Sequence, residues 1–159
     1  MNTTPSSKPT KRFGVVDAIL WGGLIAGILD ATDGVVAFGF KGLNPIQVLQ
    51  YIASGLLGST SFKGGLATAG LGALLHFLIA FVAAAVYVFA SRYIAPLKHQ
   101  AVLFGLLFGV AVYFFMNYLV LPFSAVAQSP FSLPLFINGV VGHAIFVGVP
   151  IAVSAGRVS

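Results

Sequence analysis

Long apolar stretches alternate with short polar ones along this sequence. Four of the apolar stretches, at about residues 14–40, 65–90, 101–121 and 133–154, are long enough to cross a bilayer. A helix of roughly 20 apolar residues spans a hydrocarbon core of about 30 Å. The pattern therefore predicts an all-α fold, a polytopic membrane protein in which residues 14–157 form one bundle of four transmembrane helices.

The segment between the first two stretches is too polar to span. Asn44 and Pro45 are typical of a helix N-cap followed by proline at the first helical position. Apolar side chains then recur at helical spacing, while polar side chains share another face: Ile46, Leu49, Ile52, Ala53 and Leu56 against Gln47, Gln50 and Ser54. We predict a short amphipathic helix at about 45–57, either interfacial or re-entrant. A first helix broken at 30–34, with a re-entrant helix after it, is the alternative topology.

The distribution of basic residues predicts the orientation. With a cytoplasmic N-terminus, six of them lie inside and two outside. The inside set is Lys8, Lys11, Arg12, Arg92, Lys98 and Arg157, and the outside set is Lys41 and Lys63. Because cytoplasmic loops are enriched in Lys and Arg, both termini are expected in the cytoplasm of a bacterial inner membrane. Residues 1–13 are expected to form a disordered tail. Asp17 interrupts the apolar run that follows, which argues against a signal peptide.

Composition excludes several classes of protein. Hydrophobic residues make up 58% of the chain and charged residues 7%, against about 25% charged in soluble domains. The net charge of +5 comes from basic residues at segment ends, where lipid head groups explain them, so no nucleic acid partner is expected. The sequence has no cysteine, which excludes disulfides and thiolate metal sites. It contains no HExxH, GxSxG or phosphate-loop motif, which disfavours an enzyme.

The acidic residues are the first candidate site. The chain has only three, and Asp30 and Asp33 lie three apart, on one face of the first predicted helix. A carboxylate in hydrocarbon costs several kcal/mol, so it is compensated, protonated or functional. In one interpretation Asp33 is hydrated near the membrane surface and pairs with Lys41 or Lys63. In the other, Asp30 lies inside the bundle and exchanges a proton or binds a cation.

Two histidines inside apolar stretches, His76 and His143, are the second candidate site. Counting from the helix ends places both near the membrane midplane. If the second and fourth helices sit diagonally across the bundle, the two rings could face each other. The favoured hypothesis is that each histidine only holds helices together through a hydrogen bond. A proton relay to Asp30, with Asn117 at a similar depth, is the second. The third is haem b or a metal ion bound by His76 and His143, although no cofactor is expected.

Several short pieces resemble the YagU-like family of small bacterial inner-membrane proteins. They are the stretches at 75–77 and 81–87, the Pro96-Leu97-Lys98 loop, Gly142-His143, and residues 22–27 in the first helix. The resemblance implies four transmembrane helices in the inner membrane and no settled activity. The Asp30 and Asp33 pair has no clear counterpart in that family.

Three functions follow from these residues. We expect a non-catalytic inner-membrane protein whose polar side chains Asp30, His76, Asn117 and His143 pack the bundle. The first alternative is a proton- or cation-linked transporter or channel that uses the same residues. Because four helices leave little room for a pore, it would act as a homo-oligomer. Three helix faces rich in glycine suit tight packing, either inside the bundle or between protomers: Gly23/Gly27, Gly105/Gly109 and Gly65/Ala69. The second alternative is a haem- or metal-binding redox protein.

Overall fold

The computed structural model describes residues 13–127 and 129–158, and within them every regular element is helical. Seven α-helices follow in chain order: α1 (Val15–Gly39), α2 (Pro45–Leu57), α3 (Gly65–Ser91), α4 (Pro96–His99), α5 (Ala101–Phe115), α6 (Leu133–Gly142) and α7 (Val149–Gly156). Met116–Val120 and His143–Gly148 are π-helical, and Gly58–Lys63 and Leu121–Phe123 are 3-10 turns.

Four helices are long and apolar enough to cross a membrane. They are the first span (Val15–Gly39), the second (Gly65–Ser91), the third (Ala101–Phe123) and the fourth (Leu133–Gly156). The predicted all-α, four-helix membrane fold is confirmed, and the first span is not broken at residues 30–34. Of the predicted tail at 1–13, all but Phe13 lies outside the described residues.

The core of the bundle consists mainly of small side chains, and its surface carries large apolar ones. Alanines fill much of the centre, with Ala26, Ala84 and Ala152 fully buried, whereas large side chains such as Leu74 and Val16 point outward. This distribution is typical of a protein in lipid, because small residues let helices approach and large apolar ones meet the acyl chains. The chain thus has the architecture of a multi-pass membrane protein.

The fourth span packs against each of the other three, and the second packs mainly on α1 and α2. The prediction that the second and fourth helices lie diagonally across the bundle is therefore wrong. α7 contacts α3 directly, while the second and third spans pack only slightly on one another. The reason is the small side chains of the fourth span, which permit close approach on several sides.

The glycine faces singled out in the sequence are used inside the bundle. A Cβ on Gly23 or Gly27 would overlap the rings of Phe81 and Phe77 on α3. A Cβ on Gly109 would overlap the backbone at His143, and one on Gly105 would lie 2.9 Å from the Gly148 oxygen. These glycines therefore join the first span to the second and the third span to the fourth.

α2 was predicted at the residues where it is found, and it is packed against α3. Its N-terminus has a capping box in which the side chains of Asn44 and Gln47 each accept a 2.9 Å hydrogen bond from the other's backbone N–H. Gln50 is only 4% exposed and donates to the Gly65 carbonyl at 3.0 Å. Leu56 and Leu57 are exposed, whereas Gln50 and Ser54 of the predicted polar face of α2 are buried against the protein.

Both π-helical segments end two residues before a proline. The first ends at Val120 before Pro122, and the second ends at Gly148 before Pro150. A proline cannot donate the helical hydrogen bond, and its ring collides with the carbonyl four residues earlier. A wider π turn is one way in which a helix accommodates this defect. The distortion at Pro150 thus takes the form of a π segment that begins at His143.

Candidate functional site

Asp30 on α1 faces His143 on the fourth span. The Nδ1 atom of His143 lies 3.5 Å from Oδ1 of Asp30, and the two side chains are 22% and 19% exposed. This separation suits an ion pair but is too long for a good hydrogen bond. Nδ1 itself is shielded from solvent and has no hydrogen-bond partner among the described residues. The carboxylate and the imidazole therefore face each other across the interface between α1 and the fourth span.

Asp33 lies one turn further along α1 and faces the same span. The Asn138 side chain donates a 2.8 Å hydrogen bond to Oδ2 of Asp33. Gly142 makes this approach possible, since a Cβ there would lie 2.6 Å from the same oxygen. Among the described residues Oδ1 of Asp33 receives no hydrogen bond. We call Asp30, Asp33, Asn138 and His143 the acidic cluster.

No basic side chain of the described residues neutralises the acidic cluster. In the part of the chain that the structure describes, no lysine or arginine lies within ion-pair distance of Asp30 or Asp33. Lys41 and Lys63, the partners considered for Asp33, are both exposed. Lys41 follows the end of α1, and Lys63 precedes the start of α3. The partners of the two aspartates on the fourth span are His143 for Asp30 and Asn138 for Asp33.

The acidic cluster lies well inside the membrane-spanning length. At about 1.5 Å of rise per residue, Asp33 and Asn138 lie about 8–9 Å from the ends of their helices. By the same measure Asp30 and His143 lie about 14–15 Å deep, close to the middle of a hydrocarbon core of about 30 Å. At that depth a charged carboxylate is costly, so the partners on the fourth span matter energetically.

His76 takes a different partner from His143. Its Nε2 atom lies 2.8 Å from the carbonyl oxygen of Gly27 on α1, and its ring meets Phe77 edge-on at 5.5 Å. Gly27 is one turn before Asp30, so the two histidines contact neighbouring turns of the same helix. His76 thus makes the helix-to-helix hydrogen bond that the favoured hypothesis expects.

Asn117 is not part of the acidic cluster. Its side chain donates a 2.9 Å hydrogen bond to the Tyr113 carbonyl of its own helix. The ring of Tyr113 instead reaches the cluster, with an edge-on contact to the His143 ring at 5.4 Å. Gly139 leaves room for this ring, because a Cβ there would overlap it. Tyr113 therefore fixes one side of the imidazole.

A groove of about 560 Å³ runs along the outer side of the acidic cluster. Its lining is largely apolar, and among the described residues Asp33 is its one charged side chain: Asp33, Leu133, Pro134, Ile137, Asn138, Val141, Gly142, Ile145 and Phe146. Leu133, Ile137, Val141 and Ile145 are each about half exposed on the outside of the bundle. The groove therefore opens toward the lipid rather than along the bundle axis.

Asp30, Asp33 and His143 are candidates visible in the sequence, and the structure brings them together. The roles of Asn138, Tyr113 and Gly142 were not predicted. Asn138 was visible as a polar residue in an apolar helix, five residues before His143, but its contact with Asp33 joins positions 105 residues apart. The close approach at Gly142 carries no signal in a sequence with 19 glycines.

Among the described residues, no group of three or more His, Cys, Asp or Glu side chains is arranged to hold a metal ion. The prediction that no cofactor binds, and the haem or metal alternative through His76 and His143, both stay predictions. Comparison with known proteins gives no match to a family model, to a curated protein or to a solved structure.

Proposed function

We propose that this protein is a proton- or cation-linked transporter or channel in which the acidic cluster is the exchange site. The coarser statement, a multi-pass membrane protein with four spanning helices, follows from the fold itself. The orientation with cytoplasmic termini in a bacterial inner membrane is also part of the proposal, and the excess of basic residues on that side supports it. The resemblance to the YagU-like family points to the same membrane.

The observation that carries the proposal is the contact of Asp30 with His143 at mid-depth, with no described lysine or arginine within ion-pair distance. A structural contact alone does not require two carboxylates there, because a neutral asparagine makes the same hydrogen bonds at a lower desolvation cost. A carboxylate and an imidazole side by side can pass a proton between them or hold a cation. Intramembrane acids of this kind are typical of proton and ion pathways.

The partial exposure of the pair supports exchange. Side chains that are 19% and 22% exposed are reachable from the surface of the bundle, whereas a sealed structural pair would be enclosed. The alternative expected from the sequence, in which the polar groups only pack the bundle, fits His76 and Asn117 better than it fits the acidic cluster. The side chains of both residues contact backbone carbonyl oxygens, and neither contacts an acidic residue.

An oligomer supplies the pathway that one chain lacks. Four helices around an alanine-rich core leave little room for a pore within a single chain. The glycine faces are occupied inside the bundle, so subunits would meet through other apolar surfaces, such as that around Leu74 and Leu78 on α3. The haem alternative has no comparable support, since each histidine already contacts α1.

Flux measurements in liposomes test the proposal. The purified protein is reconstituted with a pH-sensitive dye inside, and a proton, sodium or potassium gradient is applied. We expect a flux that Asp30→Asn reduces at least tenfold, because the variant keeps the size of the side chain but cannot ionise. Asp17→Asn is the matched control, since Asp17 accepts a hydrogen bond from Gly14 at the start of α1, outside the cluster. Equal flux in Asp30→Asn and the unsubstituted protein would refute the proposal.

A further inference from the structure

The lipid-facing groove has the composition of a site for an amphipathic cation. Its walls are aliphatic and aromatic side chains of the fourth span, including Ile137, Val141 and Phe146, and Asp33 is the one charged residue in the part of the lining that the structure describes. The volume of about 560 Å³ is in the range of small-molecule sites. An apolar molecule with one positive charge would match both parts of this lining.

Asp33 has the unused capacity that such a ligand needs. One carboxylate oxygen accepts the hydrogen bond from Asn138, which holds the side chain in place. Among the described residues the other oxygen has no hydrogen-bond donor and no basic side chain near it. A cation in the groove would complete this coordination, and its attraction to the carboxylate would be strong in the low dielectric of the membrane.

Charge complementarity argues against a second copy of this chain as the occupant. The described basic residues all lie outside the four spans or at their ends: Lys41, Lys63, Arg92, Lys98 and Arg157. Within the described residues, a spanning helix of another subunit would therefore bring no lysine or arginine to Asp33 at this depth. A small organic cation supplies the missing charge and still covers the apolar walls.

We propose that this groove binds a lipophilic organic cation, an amine or onium compound with apolar substituents, which enters from the bilayer and pairs with Asp33. The inference rests on the proposed function and names the class of ion that the acidic cluster would exchange. Lateral entry follows from the half-exposed residues Leu133, Ile137, Val141 and Ile145, which form the open side of the groove.

Equilibrium binding of tetraphenylphosphonium to the detergent-purified full chain tests the inference. Tetraphenylborate, which has nearly the same shape and the opposite charge, is the matched probe. We expect saturable binding of the phosphonium alone, and at least a tenfold weaker affinity in Asp33→Asn. Equal binding of both ions, or unchanged affinity in Asp33→Asn, would show simple partitioning into detergent and apolar surface and would overturn the inference.

A second variant tests the groove without changing a charge. Val141→Trp places a large side chain in the groove, where Val141 is 50% exposed, and is expected to abolish phosphonium binding. Val102→Trp is the control, because Val102 is 57% exposed on the third span, away from the groove. Thermal unfolding of all variants confirms that they fold. Binding that survives in folded Val141→Trp would contradict the site.

The two proposals fail in different experiments. If flux of protons or metal cations depends on Asp30 but the protein does not bind the phosphonium, the proposed function stands and the organic-cation site is refuted. If the phosphonium binds specifically at Asp33 but no flux is measured in liposomes, the binding site stands and the transport function is refuted.

Discussion

The side chain of Asn138 donates a 2.8 Å hydrogen bond to Asp33, although 105 residues separate the two positions. At this end of the bundle, this contact and the contact of Asp30 with His143 join α1 to the fourth span through polar side chains. The same two helices also meet through small side chains, since Gly22 packs on Ile151 and Ser154 near the other end of the bundle. One end of this interface is thus tightly packed around a glycine, and the other is formed by polar side chains next to a groove.

Gly142→Ala is expected to disturb the acidic cluster while the fold persists. The new methyl group would lie 2.6 Å from Oδ2 of Asp33, which is closer than real contacts allow, so the carboxylate must move away from Asn138. We expect phosphonium binding to weaken several-fold and the melting temperature to fall by only a few degrees. Gly34→Ala on α1 is the control, because its Cβ would meet nothing within 4 Å. Unchanged binding in Gly142→Ala would contradict the geometry described for Asp33.

Gly109→Ala is expected to destabilise the whole bundle. A Cβ at this position overlaps the backbone of His143 and Ala144, so the third and fourth spans must separate. Overpacking of this kind costs about 1–3 kcal/mol of unfolding free energy. Gly70→Ala on α3, where a Cβ has open space, is expected to be neutral or stabilising by up to about 1 kcal/mol. The unfolding free energy of each variant is measured in mild detergent with increasing denaturant. Equal stability of Gly109→Ala and Gly70→Ala would refute the close packing at Gly109.

His76→Ala is expected to change stability and not flux. The variant loses the 2.8 Å contact with the Gly27 carbonyl, and such hydrogen bonds in membranes contribute about 0.6 kcal/mol. His76→Gln keeps a donor and is expected to recover part of the loss. Flux through either folded variant should match that of the unsubstituted protein. If His76→Ala stayed folded but lost all flux, His76 would belong to the exchange pathway and the cluster described here would be incomplete.

Much of the fold could be predicted from the sequence because lipid imposes strong rules. Apolar length alone defined the four spans, and Asn44 with Pro45 defined the start of α2. The packing order could not be predicted, since apolar helices carry little information about which neighbour they choose. Small residues at 142, 148 and 152 let the fourth span approach its neighbours, and that effect is visible only in three dimensions.

The candidate site was predictable as a set of residues but not as a contact map. Polar side chains inside apolar helices are expensive, so Asp30, Asp33, His76, Asn117 and His143 were identifiable one by one. Their partners depend on helix rotation. The π segment that starts at His143 changes the rotation between α6 and α7, and no local pattern other than Pro150 signals it. Asn117 and His76 proved to bond backbone carbonyls instead of Asp30.

Infrared spectroscopy of the reconstituted protein tests the exchange of a proton at the acidic cluster most directly. The chain has only three acidic side chains, so the protonated-carboxyl region of its spectrum contains few bands. We predict a band that disappears reversibly as the pH is raised and that Asp30→Asn removes, while Asp17→Asn leaves it unchanged. A spectrum without any pH-dependent carboxyl band, or one whose band is identical in Asp30→Asn, would contradict a proton-exchanging Asp30.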